Sequence, residues 1–188
     1  MKDLTIFQLL SALLIGGLVG FVAWHSMNQS LEKRQVRFGI TKAIDSMRVG
    51  DHLARKNQQK EALSMYKTSL KTINKKNEPI AYANIKNSQG VCYYKMALKE
   101  NSKLNLAKAI TSYKEALAVY KNDGRLSDFA IALINIGDAY KELAQYQNTE
   151  KNKLEAIKVY KEALKIYRTE DYPDKNEMVK KKISHLSK

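Results

Sequence analysis

The chain opens on an uncharged run. From Leu4 to Trp24 the sequence LTIFQLLSALLIGGLVGFVAW loses its apolar character only at Thr5, Gln8 and Ser11. A helix of that length rises roughly 30 Å, the thickness of a bilayer's hydrocarbon core. The pattern predicts a transmembrane helix, with Trp24 where an indole prefers the interface. A cleaved signal peptide is the competing reading, because Lys2 and the apolar run imitate its first two regions. The run is longer than the usual signal core, and neither an Ala-x-Ala site nor a lipidation cysteine follows it. Past residue 40 the pattern becomes helical. Ala130, Leu133, Ile136, Gly137 and Tyr140 share one face, and so do Ala156, Val159, Tyr160, Ala163, Leu164 and Tyr167.

These helical stretches repeat. The segments EALSMYKTSLKTI, KAITSYKEALAVY and EAIKVYKEALKIY carry Ala62, Ala109 and Ala156 at successive steps of 47 residues. Tyr66, Tyr113 and Tyr160 keep the step, as do Ser69, Ala116 and Ala163. Upstream, Gly90 with Tyr93 and Gly137 with Tyr140 repeat it, and Pro79, Leu126 and Pro173 share one register position. Each unit reads as a pair of helices. Asn122-Asp123-Gly124 separates two units, with Gly suited to the left-handed position past a helix end. Ser127 or Asp128 is placed to cap the next helix. Pro79 and Pro173 suit a first helical turn. Glycine inside a helix costs about 1 kcal/mol against alanine, so its recurrence at 90 and 137 predicts close helix approach.

Gly-x-x-Tyr followed by Ala-x-x-x-aromatic and a small residue three further on resembles the tetratricopeptide repeat. The first copy reads Val49-Gly50-x-x-Leu53 with Ala62, Tyr66 and Ser69; the second Gly90-x-x-Tyr93 with Ala109, Tyr113 and Ala116; the third Ile136-Gly137-x-x-Tyr140 with Ala156, Tyr160 and Ala163. The early Trp of the pattern is missing. The gap between Gly and Ala is longer in the second and third copies than in the first, which predicts elongated hairpins like those of kinesin-light-chain type. The resemblance implies an all-α superhelix of three hairpins plus a C-terminal capping helix. The expected layout is an anchor over 1–25, a basic juxtamembrane linker or helix over 26–39, repeats over about 40–75, 79–121 and 126–169 within 40–172, and a cap over 173–188. In the cap, Met178, Val179, Ile183 and Leu186 are expected inward and Lys180, Lys181 and Lys182 mostly outward.

The resemblance also implies a partner-binding groove on the first helix of each pair. Carried over by position, it comprises Met47, Arg48, Asp51 and Arg55; Asn84, Asn87, Ser88, Val91 and Lys95; and Ile131, Ile134, Asn135, Asp138 and Lys141. A clamp for carboxyl-terminal peptides would want Lys and Asn in the first helix and Lys and Arg in the third. Met47, Asp51, Ile131 and Asn135 stand there instead. Membrane-anchored members of the family include assembly factors for photosystems and for lipopolysaccharide synthesis. The implied function is therefore a membrane-anchored adaptor that binds a partner protein and assists assembly of a membrane complex. The alternatives are a self-assembling oligomeric scaffold and a non-catalytic regulatory subunit of a membrane enzyme.

Charge refines this picture. Lys and Arg number 33 against 19 Asp and Glu, a net charge of +14. Lys33, Arg34, Arg37 and Lys42 follow the apolar run, so the positive-inside rule places the repeats on the cytoplasmic or stromal side. The excess has three readings: general solubility, attraction to anionic lipid headgroups, and nucleic-acid binding. The third is the weakest, since acids are interleaved throughout, and no nucleic-acid partner is expected. Ala12, Gly16 and Gly20 recur every fourth residue, a spacing that lets two membrane helices pack closely. No phosphate loop, HExxH or Ser/His/Asp set is present, so neither enzyme activity nor a cofactor or metal is expected. Cys92 reads as a small core residue and His52 as a surface or groove histidine rather than a base.

Overall fold

The computed structural model describes residues 6–168 and 171–187, with side chains from Gly17 onward. Helices follow one another as α1 (Ile6–Arg55), α2 (Gln59–Ser69), α3 (Pro79–Ala97), α4 (Ser102–Asn122), α5 (Leu126–Leu143), α6 (Thr149–Ile166) and α7 (Pro173–Leu186). Among the described residues there is no strand. The chain divides into two compact units, Met1–Lys42 and Ala43–Lys188.

Among its described residues the first unit is the leading part of α1, which continues without a break through residues 26–39. Leu18, Val19, Phe21, Val22, Trp24, Met27, Leu31, Val36 and Phe38 are all exposed along it. The Phe21 ring lies 6.1 Å from Trp24 and 6.2 Å from His25. The expected transmembrane helix is not supported. Among the described residues, no helix is long and apolar enough to cross a membrane. Polar and charged side chains from His25 onward interrupt α1, whereas a span needs about 20 consecutive apolar residues. The earlier part of the expected span, residues 4 and 5 and the side chains of 6–16, lies outside the described residues; so do the side chains of Ala12 and Gly16. A Cβ at Gly20 would meet nothing within 4 Å, so that position has no packing partner here. The membrane attachment over residues 4–24, the topology and localisation drawn from the basic flank, and the lipid-headgroup contact all rested on that span. Without it they have no basis in the described residues.

The second unit is a stack of helical hairpins. Three of its helices begin at the register position singled out above: α3 at Pro79, α5 at Leu126 and α7 at Pro173. Proline fits there because a first-turn residue has no intrahelical partner for its nitrogen. Helix α2 has 11 residues, while α3 to α6 have 18 to 21, so the later hairpins are the longer ones. Ser127 and Asp128 do not cap α5. The helix already starts at Leu126, and Asp128 accepts a 2.5 Å bond from Arg125 Nε.

The loops inside the second and third hairpins are built alike. Asn101 and Asn148 take φ of 50° and 45°, a left-handed conformation that asparagine tolerates better than most residues. Ser102 Oγ donates to the Ala97 carbonyl at 2.7 Å, and Thr149 Oγ1 to Ala144 at 2.9 Å. Asn105 Nδ2 donates to the Glu100 carbonyl at 2.9 Å, and Asn152 Nδ2 to Gln147 at 2.7 Å. Between the hairpins, Gly124 takes φ of 69°, as the Asn-Asp-Gly segment predicts.

The repeat glycines sit under tyrosine rings. A Cβ on Gly50, Gly90 or Gly137 would lie 2.7, 2.4 or 2.4 Å from Cε1 of Tyr66, Tyr113 or Tyr160. Tyr66 and Tyr160 are fully buried, as are Ala62, Ala109 and Ala156. Each hairpin is thus closed by a tyrosine ring packed against a helix position that carries no side chain. At the end of the stack Val179 of α7 is buried, and Ile183 and Leu186 pack partly against the same core. Met178 is 40% exposed rather than inward, because one residue turns it about 100° from Val179. Lys182 turns inward and bonds Asp138 Oδ1 at 2.6 Å.

Candidate partner-binding face

The first helix of each pair contributes one row of side chains: the end of α1, then α3, α5 and α7. Neighbouring rows touch through polar groups. Ser88 Oγ donates to Asp51 Oδ1 at 3.3 Å, Asn135 Nδ2 to Asn87 Oδ1 at 3.3 Å, and Lys182 Nζ to Asp138 Oδ1 at 2.6 Å. Ser88, Asn135 and Lys182 are themselves 47 residues apart, so one register position makes all three contacts. The carboxylates are also held from the second helices. Tyr66 Oη donates to Asp51 at 2.7 Å and Tyr160 Oη to Asp138 at 2.6 Å. Burial, then the bond to the carboxylate, drives both phenols well above the usual tyrosine range.

A cleft of about 310 Å³ opens between the first two repeats, lined by Asp51, Ala54, Arg55, Tyr66, Ser88, Val91 and Lys95. Five of these are sequence-predicted groove residues. Ala54 and Tyr66 were not among them; Tyr66 is fully buried and joins the lining beside Asp51, to which its Oη donates.

The other predicted positions divide. Asn87 and Asn135 meet in the amide pair, both half-buried. Asp138 and Lys141 are half-buried, with Lys141 Nζ 3.8 Å from Glu142. Ile131 is 41% exposed. Asn84 accepts a 2.9 Å bond from Tyr120 Oη. Arg48 is exposed and tied to Asp45 at 3.2 Å. Met47 packs against the core of the first hairpin, and Ile134 is buried. Those two serve packing, because the face a helix turns toward its partner takes in residues beside the groove row. Lys182 was missed as a groove group. Its signal was its register with Ser88 and Asn135, hidden by its place in a lysine run.

Cys92 is buried, and burial pushes its thiol up to about 11. His52 is exposed. Among the described residues, no group of three or more His, Cys, Asp or Glu is placed to hold a metal ion.

No known family model matches this chain. No curated protein matches it either. The resemblance to tetratricopeptide repeats is therefore not upheld as a family assignment, and the assembly roles it implied lose their support. What stands is an all-α protein whose helices pack as hairpins in a repeating order.

Proposed function

We propose that this chain is a non-catalytic helical-repeat scaffold that binds a segment of a partner protein across the row formed by the end of α1, α3 and α5. The observation that carries the reading is the cleft together with the amide pair beside it. Asn87 and Asn135 spend one N–H and one carbonyl on each other. That leaves an amide donor on Asn87 and an amide acceptor on Asn135, the two groups an extended backbone needs. The carboxylates at hand, Asp51 and Asp138, already accept hydrogen bonds from fixed phenols, which suits a positioning role better than proton transfer.

Site-specific photocrosslinking tests the reading. A crosslinker at position 88 or 135 should give discrete adducts with the partner, and one at the exposed positions 121 or 158 of α4 and α6 should not. Equal yields from both sets, or adducts only from the second, would refute it.

A further inference from the structure

The two ends of the face differ in charge, and the difference traces to single register positions. Arg55, Lys95 and Glu142 stand five residues after Gly50, Gly90 and Gly137, so they form one row along the stack. Asp51 and Asp138 form another, one residue after their glycines, with Val91 between them. At the α7 end every one of these charges has a partner. Lys182 neutralises Asp138 at 2.6 Å, Gln145 Nε2 donates to Glu142 at 3.0 Å, and Lys141 lies 3.8 Å from Glu142. At the α1 end Ser88 replaces the lysine, and its short side chain leaves the cleft open. Asp51 is satisfied there by two hydroxyls. Arg55 and Lys95 form no ion pair among the described residues. The cleft thus holds two unpaired cations against one carboxylate already engaged.

We propose that this cleft receives an acidic side chain, Asp or Glu, from an internal segment of the partner polypeptide, held between Arg55 and Lys95. The inference rests on the scaffold reading above. A carboxylate guest brings the cleft to electrical balance, whereas an ammonium would add a third positive charge. An internal segment fits because the face does not end at the cleft: the Asn87–Asn135 pair lies further along it, toward the third repeat. Lys95 is half-buried and Arg55 is exposed, so a carboxylate between them makes partly exposed ion pairs.

The test uses the full chain and peptides blocked at both ends, carrying Glu-Glu, Gln-Gln or Lys-Lys in one Ser/Ala sequence, titrated by fluorescence anisotropy. The Glu peptide should bind about five- to tenfold tighter than the Gln peptide, the effect of two partly exposed ion pairs. Arg55→Gln with Lys95→Gln should abolish that preference, with circular dichroism unchanged. Lys121→Gln with Lys158→Gln removes the same charge from exposed sites and should preserve it. The inference is overturned if the control pair loses as much, which would mean diffuse attraction to a chain of net charge +14. It is also overturned if the peptides bind alike, if the Lys peptide is preferred, or if a Gln peptide with a free carboxyl terminus matches the blocked Glu peptide. If Asn87→Ala and Asn135→Ala weaken the Gln peptide while Arg55 and Lys95 make no difference, the scaffold reading stands and this inference falls.

Discussion

Replacing Gly137 by alanine isolates the contact on which each hairpin depends. The added Cβ would stand 2.4, 2.7 and 2.8 Å from Cε1, Cδ1 and Cζ of Tyr160. Ordinary carbon contacts begin near 3.5 Å, so the ring must retreat by about 1 Å. It has little room, because Tyr160 is fully buried and its hydroxyl is bonded to Asp138 at 2.6 Å. Overpacking of this kind costs about 1–3 kcal/mol. Stretching the phenol–carboxylate bond adds about 0.5–1.5 kcal/mol. Alanine's better helix propensity returns about 1 kcal/mol. The net loss expected is about 2 kcal/mol, which lowers a urea midpoint by about 1 M for a domain of this size. Gly20→Ala is the control, since nothing lies within 4 Å of its Cβ, and it should leave the midpoint unchanged or raise it. A double-mutant cycle with Tyr160→Leu completes the test: without the ring, Gly137→Ala should cost nothing. A parental midpoint for Gly137→Ala, or costs that simply add in the double variant, would refute the reasoning.

The remaining predictions concern packing, loop conformation and ionisation. Ala156→Leu places a larger side chain at a fully buried helix contact and should lose about 1–3 kcal/mol in urea denaturation. Asn148, at φ of 45°, should accept glycine without loss, while Asn148→Ala should lower stability by about 1 kcal/mol in a thermal melt. Burial raises the Cys92 thiol from 9.0 to about 11, so the unfolded chain gives up this proton first. The stability from this group is complete below the lower value and falls as pH rises toward the upper one. Urea midpoints measured over that range should decline less steeply for Cys92→Ala, and a thiol reagent should label the parent only as fast as it unfolds.

Much of the second unit was legible in the sequence because its information is periodic. A step of 47 residues repeated in Ala, Tyr and Gly says that one local solution is used again, and helical spacing says what that solution is. The starts at Pro79, Leu126 and Pro173, the buried alanines and the glycines beneath the tyrosine rings all follow from it. The first thirty residues show the opposite limit. An apolar run states that water is unfavourable for its side chains, but not what covers them. Among the described residues it yields an exposed helical face and no membrane-crossing helix.

The polar face was legible only in part. The tetratricopeptide resemblance implied Asp51, Arg55, Ser88, Val91 and Lys95 as positions on the first helices of the pairs, and these five line one cleft. Which charges there remain unpaired was decided by the tertiary fold. Asp51 and Asp138 look alike along the chain, each following a repeat glycine. They differ because the next helix brings Ser88 to one and Lys182 to the other, groups 37 and 44 residues away. Helical period governs neighbours within a turn or two, whereas pairing across the stack depends on how each hairpin packs on the next. The same packing buried Ile134, set Met47 against the core and turned Lys182 from the solvent face to the groove. Periodicity therefore sets what each hairpin is, and the distance between side chains on successive hairpins sets which charges are left unpaired.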